Sequence, residues 1–161
     1  MINSQKHIPV MLDQSIDALN IIPNGSYIDA TFGFGGHSRK ILENLAEDGK
    51  LYALDKDLDS IKLIDPEFND DRRFSLKHGC FSKLKEYTKD WGIYGAVNGI
   101  LFDLGVSSHH LDNADRGFSF NKNGIVDMRF DQSSGISACD WIKDVDEQTL
   151  SNVIWKYGEE R

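Results

Sequence analysis

Apolar residues recur along this chain at two alternating periods, one that suits helices and one that suits strands. Met11, Leu12, Ile16 and Leu19 share a helical stripe and predict a short helix over Pro9 to Leu19. Pro23-Asn24-Gly25 signals a turn. Ser26 to Phe32 reads as a strand that runs into Gly33-Phe34-Gly35-Gly36. From Ser38, helical spacing returns through Ile41, Leu42 and Leu45 and closes at Asp48-Gly49. A second strand, Leu51 to Leu54, ends at Asp55-Lys56-Asp57. The spacing then predicts a helix of about two turns over Leu58 to Ile64, with Pro66 as its stop. A strand over Phe74 to His78, a short helix over Lys83 to Lys89 and a strand over Val97 to Phe102 complete the series.

Apolar strands separated by helices indicate an α/β fold with a parallel sheet covered on both faces. Right-handed crossovers bring the carboxyl ends of all the strands to one edge, where ligands bind in open sheets. Residues 1–105 therefore read as one Rossmann-like domain holding the first four strands. From 106 to 161 the texture changes. Gly105 to Gly135 lacks sustained periodicity and carries glycines at 105, 117, 124 and 135, which marks a functional or disordered segment. Helical spacing resumes at Ala138 to Ile142, and again at Leu150, Val153, Ile154 and Tyr157 after Asp146 as a cap. The sheet is an incomplete version of a doubly wound one.

Composition narrows the class without naming a function. The 161 residues are 40% hydrophobic and 27% charged, which is ordinary for a soluble globular protein. No run approaches the roughly 20 apolar residues that span a bilayer, and Met1-Ile2-Asn3-Ser4-Gln5-Lys6 lacks the apolar core of a signal peptide. Cys80 and Cys139 stand far apart and read as buried free thiols of a cytoplasmic protein. A net charge of -8 weighs against a chain that grips nucleic acid chiefly through phosphates. Any basic surface would have to be local, or be supplied by residues outside this chain.

The turn after the first strand carries the first chemistry. Glycines at 33, 35 and 36 admit positive φ and remove side chains from a ligand's path, and the helix behind them offers free N–H groups. Asp55, nineteen residues beyond Gly36 at the end of the next strand, is placed to accept the ribose hydroxyls of an adenosine-containing cofactor. Two cofactors fit this pattern. Gly33, Gly35 and Ser38 nearly satisfy the dinucleotide fingerprint, although Ser38 stands at its third small position. S-adenosylmethionine has no phosphate and needs only close approach to the loop. Phe81, after the third strand, suits either an adenine face or the core. Asp103 ends the fourth strand, facing the expected cleft or capping the amides of Gly105 or Val106.

Several stretches together resemble one family, the bacterial 16S ribosomal RNA cytosine-N4 methyltransferases known as RsmH or MraW. They are His7-Ile8-Pro9-Val10-Met11-Leu12, Asp29-Ala30-Thr31-Phe32-Gly33-Phe34-Gly35-Gly36-His37-Ser38 and Asp103-Leu104-Gly105-Val106-Ser107-Ser108. Arg116-Gly117-Phe118-Ser119-Phe120, Asp127-Met128-Arg129 and Tyr157-Gly158-Glu159-Glu160-Arg161 complete the set. The resemblance implies a class I S-adenosylmethionine-dependent methyltransferase that modifies the exocyclic amine of a cytidine in the small-subunit decoding centre. It implies cofactor contacts at Gly35, Gly36, His37, Asp55, Phe81 and Asp103, and at His110, where the family carries glutamine. It also implies a chain about twice this length, with a helical insertion domain that begins within residues 106–161 and further strands after it. On that footing, catalysis needs residues beyond this chain. The alternatives to this reading are a nicotinamide-dependent Rossmann oxidoreductase and an inactive cofactor-binding fragment.

Cytosine N4 is a poor nucleophile, because its lone pair is delocalised into the ring. Catalysis needs in-line placement against the methyl group and an acceptor for the amine hydrogens. Asp103, with nearby loop carbonyls, is the candidate acceptor. The Asp/Asn/Ser-Pro-Pro-Tyr pattern of DNA amino-methyltransferases is absent, and Asp103-Leu104-Gly105-Val106 stands in its place. Arg116 and Arg129 read either as contacts to RNA phosphate or as partners of the neighbouring Asp112, Asp115, Asp127 and Asp131. Phe118 and Phe120 are expected to pack beneath the loop, with base stacking as the other use. The His109-His110 pair lacks a third ligand at suitable spacing, so no metal is expected.

Overall fold

A computed structural model describes residues 9–158. His7 and Ile8 of the first motif, and Glu159-Glu160-Arg161 of the last, lie outside the described residues. Two compact units emerge, one ending at Gly105 and the other beginning at Val106.

In the first unit, helix α1 (Leu12–Leu19) precedes β1 (Ser26–Asp29), α2 (Gly36–Asn44) and β2 (Lys50–Asp55). Then come α3 (Leu58–Lys62), α4 (Pro66–Asn69), β3 (Phe74–His78), α5 (Leu84–Asp90) and β4 (Gly99–Leu101). The sheet is wholly parallel, in the order β3-β2-β1-β4. That order is Rossmann-like, and its direction reverses between β1 and β4. Tyr27 pairs with Leu51 on one side and Gly99 on the other, so the ends of β1, β2 and β4 share one rim.

Alternation in β2 divides the two faces. Leu51 and Ala53 enter a core with Ile16 of α1, Ile41 and Leu42 of α2, Tyr27, Phe32 and Phe68. Tyr52 points the other way and packs its ring 4.9 Å from Trp91, just after α5. Burying each large side chain of such a core stabilises it by about 1.5–3 kcal/mol.

Pro66 is not merely a stop. The helix over Leu58 ends at Lys62, and Pro66 occupies the first position of α4, where its missing N–H costs nothing. Helix α4 carries the buried Phe68, so the segment hidden by the proline signal supplies part of the core. Cys80 and Cys139 are free thiols, but both are half-buried rather than buried. Among the described residues no helix is long and apolar enough to cross a membrane.

The second unit holds more structure than its sequence suggested. Helix α6 (Ser108–Asp112) and a 3-10 turn at Ala114–Arg116 interrupt the stretch expected to lack elements. Helices α7 (Ala138–Asp144) and α8 (Glu147–Gly158) follow, and Asp146 accepts the Thr149 amide at 2.9 Å as the expected cap. Arg116 is 1% exposed, so it cannot meet RNA phosphate; its Nη2 donates to the carbonyls of Arg129 and Phe130. Arg129 pairs with Asp127 through Nε and Nη2 at 3.0 and 2.7 Å. Both arginines hold the loop together. Phe118 packs against Phe130 as expected, whereas Phe120 stands fully exposed at 103%.

The C-terminal end of α2 has a long-range cap. Arg73 Nη1 donates to the carbonyls of Leu42 and Leu45 at 3.0 and 2.6 Å, while Asp71 grips the same guanidinium through Nη2 at 2.6 Å. The hydrogen bond from Arg73 is the main reason the Asp71 carboxyl lies below the ordinary range. A depressed folded pKa contributes stability above the unfolded value and loses it as pH falls through the folded one. Asp71→Asn is therefore expected to lower the melting temperature by about 2–4 °C at neutral pH, and the deficit should vanish in strong acid. A deficit independent of pH would contradict this account.

Candidate cofactor site

The site grows from the end of β1. The sheet ladder continues past the strand: Ala30 N–H donates to Leu101 O, and Phe32 N–H to Leu54 O. The chain then reverses through Gly33 at φ 55° and Gly35 at φ 77°, a region that favours glycine. The two glycines have different reasons to be there. A Cβ on Gly33 would find only Thr31 O, 4.0 Å away, so this residue borders open space. A Cβ on Gly35 would stand 2.6 Å from Phe68 Cζ and 2.9 Å from Phe32 Cζ. Gly35 is buried, and aromatic packing requires its lack of a side chain. The sequence suggested ligand access at both positions. Gly36 opens α2, whose first helical hydrogen bond runs from Arg39 N–H to Gly35 O. The amides of Gly36, His37 and Ser38 precede that bond and are the helix's free donors.

Asp55 faces this loop. Its Oδ2 accepts the Gly33 amide at 2.6 Å, and its Oδ1 accepts the Asp57 amide at 2.7 Å. A carboxylate has about four lone-pair sites, so one acid can accept donors from several directions at this rim. The acid and the glycine turn thus meet on one rim, as their spacing implied.

Asp103 joins them from β4. Its N–H donates to Thr31 Oγ1 at 2.7 Å, which ties β4 to the turn after β1. Its carboxylate is 58% exposed, with Oδ2 3.8 Å from Nδ1 of His37 in the first turn of α2. His37 is buried, and its Nε2 has no hydrogen-bond partner. Beneath them Asp29 is wholly buried. It accepts Ser38 Oγ at 2.7 Å and the Thr31 amide at 3.1 Å. Desolvation by burial pushes its pKa up, against the pull of those bonds and of His37.

Neither Thr31 nor the Asp29–Ser38 pair had been assigned a role from sequence. The available signal was a lone charge inside an otherwise apolar strand. Phe81 lies in a 3-10 turn after β3, 41% exposed, with its ring edge-on to Phe102 at 5.5 Å. It is a surface ring rather than a core one.

His110 belongs to the second unit and is buried there. Its Nδ1 accepts the Ser107 amide at 3.0 Å, completing a reciprocal cap on α6. The ring packs 4.8 Å from Phe130 and 5.1 Å from Phe118. Because Nδ1 accepts, the neutral ring carries its proton on Nε2. Among the described residues no group of three His, Cys, Asp or Glu side chains is arranged to hold a metal ion.

Residues 4–161 match the MraW methylase family. The chain is 53% identical over 157 residues to the ribosomal RNA small subunit methyltransferase H of Hydrogenovibrio crunogenus, covering 96% of this chain and 49% of that relative. It is 51% identical over 159 residues to the protein of the same name from Alteromonas mediterranea, covering 99% of this chain and 50% of the relative. It therefore spans about half the length of the curated relatives it matches.

The two glycines should respond differently to a methyl group. Gly33→Ala is expected to cost about 1–2 kcal/mol, the penalty for a left-handed conformation alone. Gly35→Ala adds overpacking against Phe68 and Phe32, about 1–3 kcal/mol more. Urea unfolding of the two variants distinguishes these values, and equal losses would show that aromatic packing is not what Gly35 serves.

Proposed function

The chain belongs to the MraW methylase family, and on that footing we propose that it holds S-adenosylmethionine for methyl transfer to the N4 amine of a cytidine in 16S ribosomal RNA. The observation that carries this reading is the Asp55 carboxylate bonded to Gly33. It opens on the same rim as the free amides of α2 and the exposed Asp103. The names of the relatives, ribosomal RNA small subunit methyltransferases, point to small-subunit RNA as the substrate. A dinucleotide would need a phosphate cradle, and family membership removes the reason to seek one.

The residues fit the cofactor. Asp55 is an acceptor of the type that takes ribose hydroxyls, and the ring of Phe81 is exposed for an adenine. Gly35, Gly36 and His37 form the start of α2, whose free N–H groups suit the carboxylate of an amino-acid end. The resemblance also assigns His110 to the cofactor set, at a position where the family carries glutamine. When bound, S-adenosylmethionine supplies a methyl group activated on a sulfonium centre. Asp103 accepts a hydrogen bond from the cytidine amine, which favours the lone pair turning out of ring conjugation and in line with the methyl group. As the N–C bond forms and the S–C bond breaks, one amine proton is released along that hydrogen bond. Positioning of this kind contributes several kcal/mol to catalysis, on the order of 7–11 at its limit.

Calorimetry tests the cofactor. The full-length protein is expected to bind S-adenosylmethionine and not NADH, and Asp55→Ala should weaken binding by about 10- to 100-fold, as loss of charged hydrogen bonds implies. Asp103→Ala should abolish methylation of small-subunit RNA. Preference for NADH would overturn the cofactor, and undiminished turnover would remove Asp103 from the chemistry.

A further inference from the structure

The proposed chemistry, on which this inference rests, asks for one orientation of the Asp103 carboxylate. The structure fixes only its backbone. Thr31 Oγ1 holds the Asp103 N–H at 2.7 Å, while the side chain is 58% exposed and has several rotamers open to it. The ring of His37 is the group within reach, with Nδ1 3.8 Å from Asp103 Oδ2. The ring itself cannot wander. It is 6% exposed, on the first turn of a helix that Ser38 bolts to Asp29.

We propose that His37 is a positioning residue that locks the Asp103 carboxylate through Nδ1–H. At 3.8 Å the pair is an ion-pair contact, slightly longer than a hydrogen bond. Contacts of this kind in free enzymes tighten when substrate is bound. A proton on Nδ1 and a carboxylate acceptor make a charge-assisted bond, which is directional enough to select one rotamer. Two carboxylates act on the ring: Asp103 at Nδ1, and Asp29, whose own oxygens are taken by Thr31 and Ser38. A ring buried with its other nitrogen unpartnered is costly, and the Asp103 contact gives a reason to keep it there. His37 then serves the reaction by aiming the acceptor, in addition to its main-chain part in the cofactor site.

The test uses amides that mimic one nitrogen each. His37→Asn keeps a donor near the Nδ1 position, and His37→Gln keeps one near Nε2. In the full-length enzyme, with small-subunit RNA and S-adenosylmethionine, His37→Gln is expected to lower kcat by about 10- to 100-fold with KM for RNA unchanged. His37→Asn should restore kcat to within about threefold of wild type. Equal effects of Asn and Gln would overturn the proposal.

Nitrogen NMR of the cofactor-free protein gives a readout that does not depend on the reaction. Wild type should show His37 protonated at Nδ1, and Asp103→Ala should shift the proton to Nε2. A ring protonated at Nε2 in both proteins would overturn the proposal. Absence of methylation by a wild type with the Nδ1–H ring would overturn the functional reading alone.

Discussion

The bond from the Gly33 amide to the Asp55 carboxylate, 2.6 Å long, joins the end of one strand to the turn after its neighbour. Parallel strands bring their ends together but do not specify the path of the chain beyond them. Here one carboxylate does so, with its other oxygen closing its own turn at Asp57. The positive φ of Gly33 presents its N–H to Asp55, and the chain then enters α2 with its free amides on the same rim. Thr31 Oγ1 makes the corresponding link to β4 through Asp103. Both links converge where the strand order reverses, at the rim of the candidate site.

Beneath that rim the chain carries a cost. Asp29 is wholly buried, and its pKa is raised because burial disfavours its charge more than Ser38 and Thr31 favour it. An apolar residue there would spare the desolvation but leave the Ser38 hydroxyl and the Thr31 amide without their acceptor. The acid therefore holds the two residues that flank the glycine turn, and through Ser38 it fixes the helix that carries His37. Local stability is given up for geometry, a common bargain where a site must be preformed.

Much of this was legible in the sequence, for identifiable reasons. Strand β3 runs Phe74 to His78 as its pattern predicts, and the pairing of a glycine turn with Asp55 follows from spacing alone. Residues 30–32 lie beyond the assigned end of β1, yet their amides continue the ladder, so the longer strand read from sequence had a physical basis. The reason for Gly35 was not legible, because Phe68 comes from a short helix behind Pro66 that shows no stripe. Thr31 was obscure because its partner stands 72 residues away. Helix α6, with five residues, is too short for periodicity; only Ser107 and the residue at its third position announce it.

The charge of the chain bears on how RNA would be held. Every arginine among the described residues is engaged internally: Arg39 with Asp65 and Glu67, Arg72 with Glu47, Arg73 with Asp71, Arg129 with Asp127, and Arg116 with two carbonyls. Arginine is the residue suited to bidentate grip on phosphate, and here carboxylates and backbone take it first. With a net charge of -8, this chain has little from which to build a broad electrostatic footprint. What it presents at the rim is an acceptor, Asp103, and exposed rings at Phe81 and Phe102. Those groups suit contact with a base rather than with a backbone. Phosphate contacts are non-specific, so discrimination among cytidines would rest on shape and hydrogen bonding at the base itself. Discrimination of that kind would depend on how rigidly the acceptor is held, and Thr31 fixes the Asp103 backbone while Asp55 fixes the glycine turn beside it.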